Sequence, residues 1–581
     1  MPLRIRTRRS CIKARVVQSG GGTGKTLRTK LCNLWKRSKL SAIDIQDISS
    51  VSTDASIDPL KSIGAGGTIR SNCSRDFLRI QEKDSTMPDL YQARIPLWCP
   101  IKGLQVVALC SFLLVYEMLD WAIGDNPVAE YTSNDDKPNL NRTMEGWKTK
   151  VGIDVNEPCI GIGVWGDTAV YHTRDSVMLA LWSVVTGAHT RSRHWFFACG
   201  KRQMCDCGCS GRCTMDAVWE VMRYCLVVMK TQVYPYFRHD GVPFEHSTLL
   251  GDSRRARWAG NRRVKARGGC IQKRADWAWH KGMIGLVGWQ GEGIGSRVCF
   301  KCLAGKKRHS FRHFGLSATW RRTTQTHRAF MESARRDGRY VSAIFTWPGF
   351  ELSYVSCDLM HCADLGITQY LEANVLLEVF EIKLHGVYSD PGPAMTDLNF
   401  FLHCCSRHIG QARPPVARLT FLQIKPKKGN PKMKTKAAET RNLLPVIEYL
   451  LTEYFPPEDE YEHIRLQCVQ AMNNVYKELY SWDPVLSPAR ISEFGRKHCL
   501  LYGELQRRCL ELPRRGVTTR WHIYPKHHQF LHIVEEQVYE CDNPASNWCY
   551  FDENSIGLCS TLAEGCNPRF LHTALLRKYR C

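Results

Sequence analysis

The stretch SCDLMHCADLGITQY, residues 356–370, sets Asp358, His361 and Asp364 at intervals of three among Leu359, Met360, Cys362, Leu365 and Ile367. Such apolar company belongs in a core, and the spacing suits one buried helix. The residues alone allow two readings. Either they are a helix cap and two satisfied polar groups, or they belong to a metal-dependent active site.

Outward from this stretch, the chain of 581 residues has room for two to four domains, or for one core with large insertions. With 44% hydrophobic residues and 17 Trp it can bury a sizeable core. Lys plus Arg exceed Asp plus Glu by 80 to 56, a net charge of +24, which favours a polyanionic partner. The 27 Cys would suit a secreted disulfide protein, but MPLRIRTRRSCIKAR has no apolar segment of the kind a secretory signal needs. Free or metal-bound thiols in an intracellular protein are therefore expected. The longest apolar run, VVALCSFLLVY at 106–116, is too short to span a bilayer, so no membrane partner is expected.

Composition divides the chain into five parts. Residues 1–95 read as a basic, largely disordered tail, with twelve Lys/Arg before the first acid, Asp44. Residues 96–230 read as a helical region carrying a Cys cluster. Residues 231–395 mix strand-like pieces (TQVYPYF, YVSAIF) with a CxxC loop. The Lys-rich loop KPKKGNPKMKTK opens a helical insertion over 396–515, and 516–581 closes the chain.

Several motifs carry chemistry. SGGGTGKT (19–26) approaches a phosphate-binding loop, but Ser19 stands where the first Gly belongs and no βαβ pattern follows. CGKRQMCDCGCSGRC supplies Cys205, Cys207, Cys209 and Cys213, soft ligands on Gly-rich turns that suit tetrahedral zinc. CFKC supplies Cys299 and Cys302, which His309 and His313 could complete as a second zinc site. His528 and His532 lie four apart on one helix face, with no third ligand nearby in sequence. The acids Asp240, Asp276, Asp358, Asp364, Asp552 and Glu553 are each, taken alone, turn or cap residues. Taken together they offer the two or three carboxylates that two-metal phosphodiester chemistry requires.

In order, HDG (239–241), ADW (275–277) leading to CFKC (299–302), DLMH (358–361) and DENSIG (552–557) resemble the transposase of CACTA-type (En/Spm-like) DNA transposons. The likeness spans roughly residues 195–581 as scattered motifs, of which DLMH is the most specific. Ala363 stands where related sequences carry Glu, and the 205–213 cluster has no counterpart there. The resemblance implies an α+β fold: an RNase H-like mixed sheet flanked by helices, with a helical insertion, zinc-binding loops and a disordered basic N-terminus. It also implies DDE/D-type cutting and joining of DNA with Mg²⁺, Asp240 being the first metal-binding acid, Glu553 the last, and Asp276 or Asp358 the second. Asp364 is a further candidate, and His361 would orient an acid or polarise a water. The expectation is a nuclear DNA-binding protein that oligomerises on DNA and contains structural Zn²⁺. The alternative is a non-catalytic zinc-containing nucleic-acid-binding or chromatin protein, with both Cys clusters and no converging carboxylates.

Overall fold

The computed structural model describes residues 24–36, 39–52, 73–132, 136–173, 175–286, 297–384, 391–480, 487–511, 520–546 and 548–580. It is mixed α+β. A hairpin, β1 (Tyr91–Cys99) with β2 (Leu104–Phe112), pairs antiparallel, Tyr91 opposite Phe112. The main sheet has four strands, β3 (Cys159–His172), β4 (Asp175–Val184), β5 (His194–Gly200) and β6 (Arg267–Arg274), in the order β5-β4-β3-β6. β3, β4 and β5 form an antiparallel meander, and β6 runs parallel to β3. Every residue of β5, and residues 159–166 of β3, are buried. Strands covered on both faces read as unbroken apolar runs rather than alternating ones.

Helices flank this sheet: α1 (Pro138–Val151), α2 (Arg212–Thr231) and α3 (Trp277–Ile284) before and just after β6, then α4 (Thr368–Glu378). The insertion adds α5 (Ala437–Tyr449), α6 (Glu460–Tyr480) and α7 (Pro488–Glu511). The chain ends with α8 (Pro525–His532), α9 (Tyr550–Ala563) and α10 (Leu571–Arg580). Two strand glycines let helices close on the sheet. A Cβ at Gly166 would lie 2.3 Å from the Trp279 ring of α3, and one at Gly269 would lie 2.2 Å from the Trp147 ring of α1. Among the described residues no helix is long and apolar enough to cross a membrane.

The layout departs from the sequence expectations in three places. The 96–230 part, expected to be helical, holds three of the four main strands, because buried strands lack the two-residue alternation that betrays a strand. TQVYPYF and YVSAIF do not form ladder strands. Val233 makes an isolated bridge to Arg263, and Ala343–Thr346 is a 3₁₀ turn. Within the expected N-terminal tail, helices Gly24–Lys36, Ala42–Val51 and Cys73–Asp84 share a small core of Leu31, Trp35, Ile45 and Phe77. Of SGGGTGKT, Gly24, Lys25 and Thr26 begin the first of these helices, and residues 19–23 lie outside the described residues.

Two buried histidines set a pH dependence for the whole fold. His194 opens β5 against the Trp182 ring at 4.6 Å, and burial drops its pKa to about 4. Burial drops His498, on α7, to about 4 as well. Their unfolded value is near 6.5, so the unfolded chain takes up protons first as the pH falls. Stability is complete above that value and is lost between about pH 6.5 and 4, at up to ~1.4 kcal/mol per pH unit for each histidine. The urea midpoint is expected to fall steeply between pH 6.5 and 5, and a His194→Phe/His498→Leu variant should flatten that slope. An unchanged slope in the variant would refute the assignment.

Candidate functional site

β3 and β6 are in register with Trp165 opposite Arg274. Two residues on, Asp167 stands in β3 and Asp276 lies just past the end of β6, close enough for the charge of Asp276 to act on Asp167. Asp276 is also the N-cap of α3, accepting from the Trp279 amide at 2.6 Å. The third carboxyl comes from the far end of the chain. α9 packs on β3 and β4, and brings Glu553 close enough to Asp167 to feel its charge. Burial, and then the negative charge of Asp276, raises Asp167 to about 6. Burial, then Asp167, raises Glu553 to about 7. Neighbouring carboxylates disfavour the charged form of Asp167 and Glu553.

The position of Glu553 is set by its neighbour. Asp552 is fully buried and accepts from Arg274 Nε at 3.0 Å and Nη2 at 3.1 Å, and from Arg193 Nε. Arg274 also donates to Gln272 Oε1 at 2.7 Å and Ser183 Oγ at 3.0 Å. This buried clamp fastens the first turn of α9 to the end of β6.

The stretch 356–370 supplies the fourth side of the site. Met360–Ile367 is a π-helical segment leading into α4, with Gly366 far from helical geometry at φ −128° and ψ −109°. Such segments shift carbonyls out of the regular ladder. Here the freed His361 and Leu365 oxygens accept from Lys526 Nζ of α8 at 2.6 and 3.2 Å. Asp358 is buried with both oxygens engaged. One binds His361 Nδ1 at 2.6 Å, and the other accepts from the Cys549 amide at 2.9 Å. Against burial, the His361 hydrogen bond holds Asp358 below the usual carboxylate range. His361 also feels the charges of Asp276 and Glu553. A small pocket of about 40 Å³ beside them is lined by Asp276, Trp277, His280, Asp358, His361 and Lys526, among others.

The structure thus joins Asp276, Glu553 and the Asp358–His361 pair, and adds Asp167. It does not bring Asp240 to them. Asp240 sits in a surface turn beside Arg238, 3.6 Å away, and its side chain caps the Val242 amide. Asp364 is committed elsewhere. It is fully buried and accepts from Tyr476 at 2.5 Å, Tyr550 at 2.7 Å and Arg441 at 3.3 Å, bracing α5 and α6 against α9.

Two further clusters could hold a metal such as zinc. Cys299, Cys302, His528 and His532 are all buried, with their ligand atoms within 4.8 Å of one another. Cys299 Sγ is 3.4 Å from His532 Nε2, Cys302 Sγ is 3.2 Å from His528 Nε2, and the two imidazole nitrogens are 3.1 Å apart. A tetrahedron with arms of about 2.0–2.3 Å spaces such atoms by roughly 3.3–3.6 Å. Glu536 binds the other nitrogen of His532 at 2.8 Å, the support expected behind a metal-ligating histidine. His309 and His313, expected to complete this set, instead face Thr319 and Ser317 on the surface. The second cluster is Cys205, Cys207, Cys209 and Cys213, also within 4.8 Å of one another. Cys207 and Cys213 Sγ are 3.7 Å apart, near the ~3.8 Å of a zinc–thiolate tetrahedron and far from the ~2.05 Å of a disulfide. Left-handed Gly208, Ser210 and Gly211, at φ 89°, 53° and 89°, wrap the loop around them. Asp358, His361 and Cys549 also approach within 4.8 Å, but the hydrogen bonds above, and one from Trp165 Nε1 to Cys549 Sγ, already occupy Asp358 and Cys549.

Sequence reasoning missed Asp167, His528 and His532. Asp167 closes the apolar run CIGIGVWG, a strand-end signal. The histidine pair had the right helical spacing but lies more than 220 residues from its cysteines.

Sheet and site define a class: a mixed α+β protein with carboxyls gathered near the end of β6 and two Cys/His sets suited to a metal. The sequence matches no family model and no curated protein.

Proposed function

We propose that this chain is a transposase-derived DNA-binding protein with an RNase H-like core that cuts and joins DNA phosphodiesters. Asp167, Asp276 and Glu553 are the metal-binding acids. The observation that carries this reading is the convergence of three carboxyls from a central strand, the end of its parallel neighbour and a helix packed over both. A meander whose first strand takes a parallel fourth partner is the sheet expected of an RNase H-like core. Two Mg²⁺ ions held there would supply charge stabilisation for the attacking and leaving oxygens. Asp358 fixes the ring of His361 through Nδ1, which leaves the opposite nitrogen to meet a phosphate held by the acids. The excess of basic residues supplies backbone contacts that position DNA without reading its sequence. The nucleus is the compartment this activity requires, and oligomerisation on DNA belongs to the same reading.

The test is nicking of a supercoiled plasmid by the purified chain with Mg²⁺ or Mn²⁺. DNA binding without nicking, at every divalent concentration, would favour the non-catalytic alternative.

Zinc is the metal we assign to both Cys/His sets. Metal analysis should return two Zn²⁺ per chain, and Cys207→Ser/Cys213→Ser one. Cys302→Ser should also return one, with the midpoint of thermal unfolding lowered, because its site ties the loop after α3 to α8 in the core. Full zinc content in either variant would refute its site.

A further inference from the structure

The Lys-rich loop is not a solvated tail. Lys432 donates its amide to Ile424 O at 3.0 Å, Met433 to Gln369 O at 3.1 Å and Lys434 to Gln423 O at 2.9 Å. Gln369 Nε2 returns a bond to Thr435 O at 2.8 Å. The segment is therefore pinned along the start of α4, directly after the π-helical wall of the pocket. At its side the Tyr370 and Tyr524 rings stack at 4.1 Å and 20°, and Asn430 holds the Tyr524 hydroxyl at 2.5 Å. Lys432 Nζ lies 5.4 Å over the Tyr370 ring, and Tyr524 is two residues before Lys526, which lines the pocket.

Charge and chemistry here are unbalanced. Among the described residues, Lys427, Lys428, Lys432 and Lys434 have no carboxylate within ion-pair distance, whereas Lys526 is held by the His361 and Leu365 carbonyls and feels Asp358 and Asp276. Lys432, Lys526 and both tyrosines are half-buried. Ordered ammonium groups that give up part of their hydration without a counter-ion await an anion. The Tyr370–Tyr524 stack is half-buried, with the His522 ring tilted 6.4 Å from Tyr524, and forms an aromatic edge beside the Lys432 ammonium. Only an unpaired base offers its face to a side chain, so an aromatic pair beside lysines suits a single strand rather than a duplex.

We propose that the pinned 432–434 segment, Lys526 and the Tyr370–Tyr524 stack form a track that holds an unpaired DNA strand and delivers its end to the acid-lined pocket. The inference rests on the cutting site proposed above and names the form of its substrate.

The experiment measures binding of a fluorescein-labelled 20-nucleotide DNA strand, the same strand in duplex and an RNA strand of equal sequence. It uses the full chain in Mg²⁺-free buffer, so the outcome does not depend on cutting. Lys432→Ala/Lys434→Ala should weaken the single strand about tenfold and reduce the slope of log affinity against log salt by about 1.4. Tyr524→Leu should weaken it by a similar factor with an unchanged slope, and duplex affinity should move less than twofold in both variants. Melting curves identify a misfolded variant, in which case Lys432→Gln and Tyr524→Met are measured instead, with the same losses expected. Tyr524→Phe should retain binding. Equal losses for duplex and single strand would overturn the track, as would unchanged affinity. Tighter binding of the RNA strand would overturn the assignment to DNA. Nicking that survives while the track variants bind normally removes this inference alone.

Discussion

Asp167→Asn should reduce plasmid nicking by at least ~10³-fold, the equivalent of about 4 kcal/mol of transition-state stabilisation, while leaving the protein folded. The carboxyl is half of a pair brought together by the β3–β6 pairing, and its replacement removes a metal-binding oxygen at the centre of the acids. Asp276→Asn and Glu553→Gln should match it, because the three act as a unit and their effects do not add. Asp240→Asn is the control, and its activity should stay within twofold, since its side chain only caps a surface turn. Stability is expected to move the other way. Burial and then the Asp276 charge raise Asp167, and burial and then the Asp167 charge raise Glu553, so removing the Asp167 charge relieves Glu553, and the thermal midpoint of Asp167→Asn should equal or exceed that of the parent. Nicking retained in Asp167→Asn but lost in Asp240→Asn would reverse the assignment.

The difference between Asp240 and Asp167 shows where a sequence stops speaking. HDG sits after an aromatic run and matches the order of a family pattern, but its loop faces solvent. Asp167 ends the buried run of β3, whose residues carry no alternation, so its only local mark is the close of the apolar run CIGIGVWG, which periodicity does not assign to a strand rather than a core helix. DLMHCADLGI was legible as a buried helix because its apolar residues are dense. Its π character was not, because the carbonyls it frees at 361 and 365 are taken up by Lys526, 165 and 161 residues away in sequence. Asp276 was legible twice over, as a cap and as a site acid, and it serves as the first while standing in position for the second. CxxC announced half of a metal set. The other half was visible only as a helical pair of histidines, and no spacing rule joins two motifs across an insertion of that length.

Asp552→Ala should cost about 3–5 kcal/mol of stability, the loss expected when a buried ion pair is broken from one side, against the ~5–15 kcal/mol that holds a domain together. The cost arises from what remains. Arg193 and Arg274 have side chains only 4% and 2% exposed, and without Asp552 two guanidinium groups share an interior with no carboxylate between them. Asp552→Asn keeps an acceptor oxygen but not the charge and should lose less. Urea unfolding of the two variants checks the order, and a loss below about 1 kcal/mol in Asp552→Ala would show the clamp to be dispensable. Function should follow by geometry. The clamp is what anchors the first turn of α9 to the end of β6, so its loss frees Glu553 from Asp167, and nicking should fall even at temperatures where the variant is folded. Glu553→Gln, one residue further along, should do the converse, losing cutting and keeping the fold. Adjacent acids on one helix turn thus take separate duties: the inward Asp552 neutralises the sheet's arginines, and Glu553, turned by that contact, is held where Asp167 and Asp276 meet it.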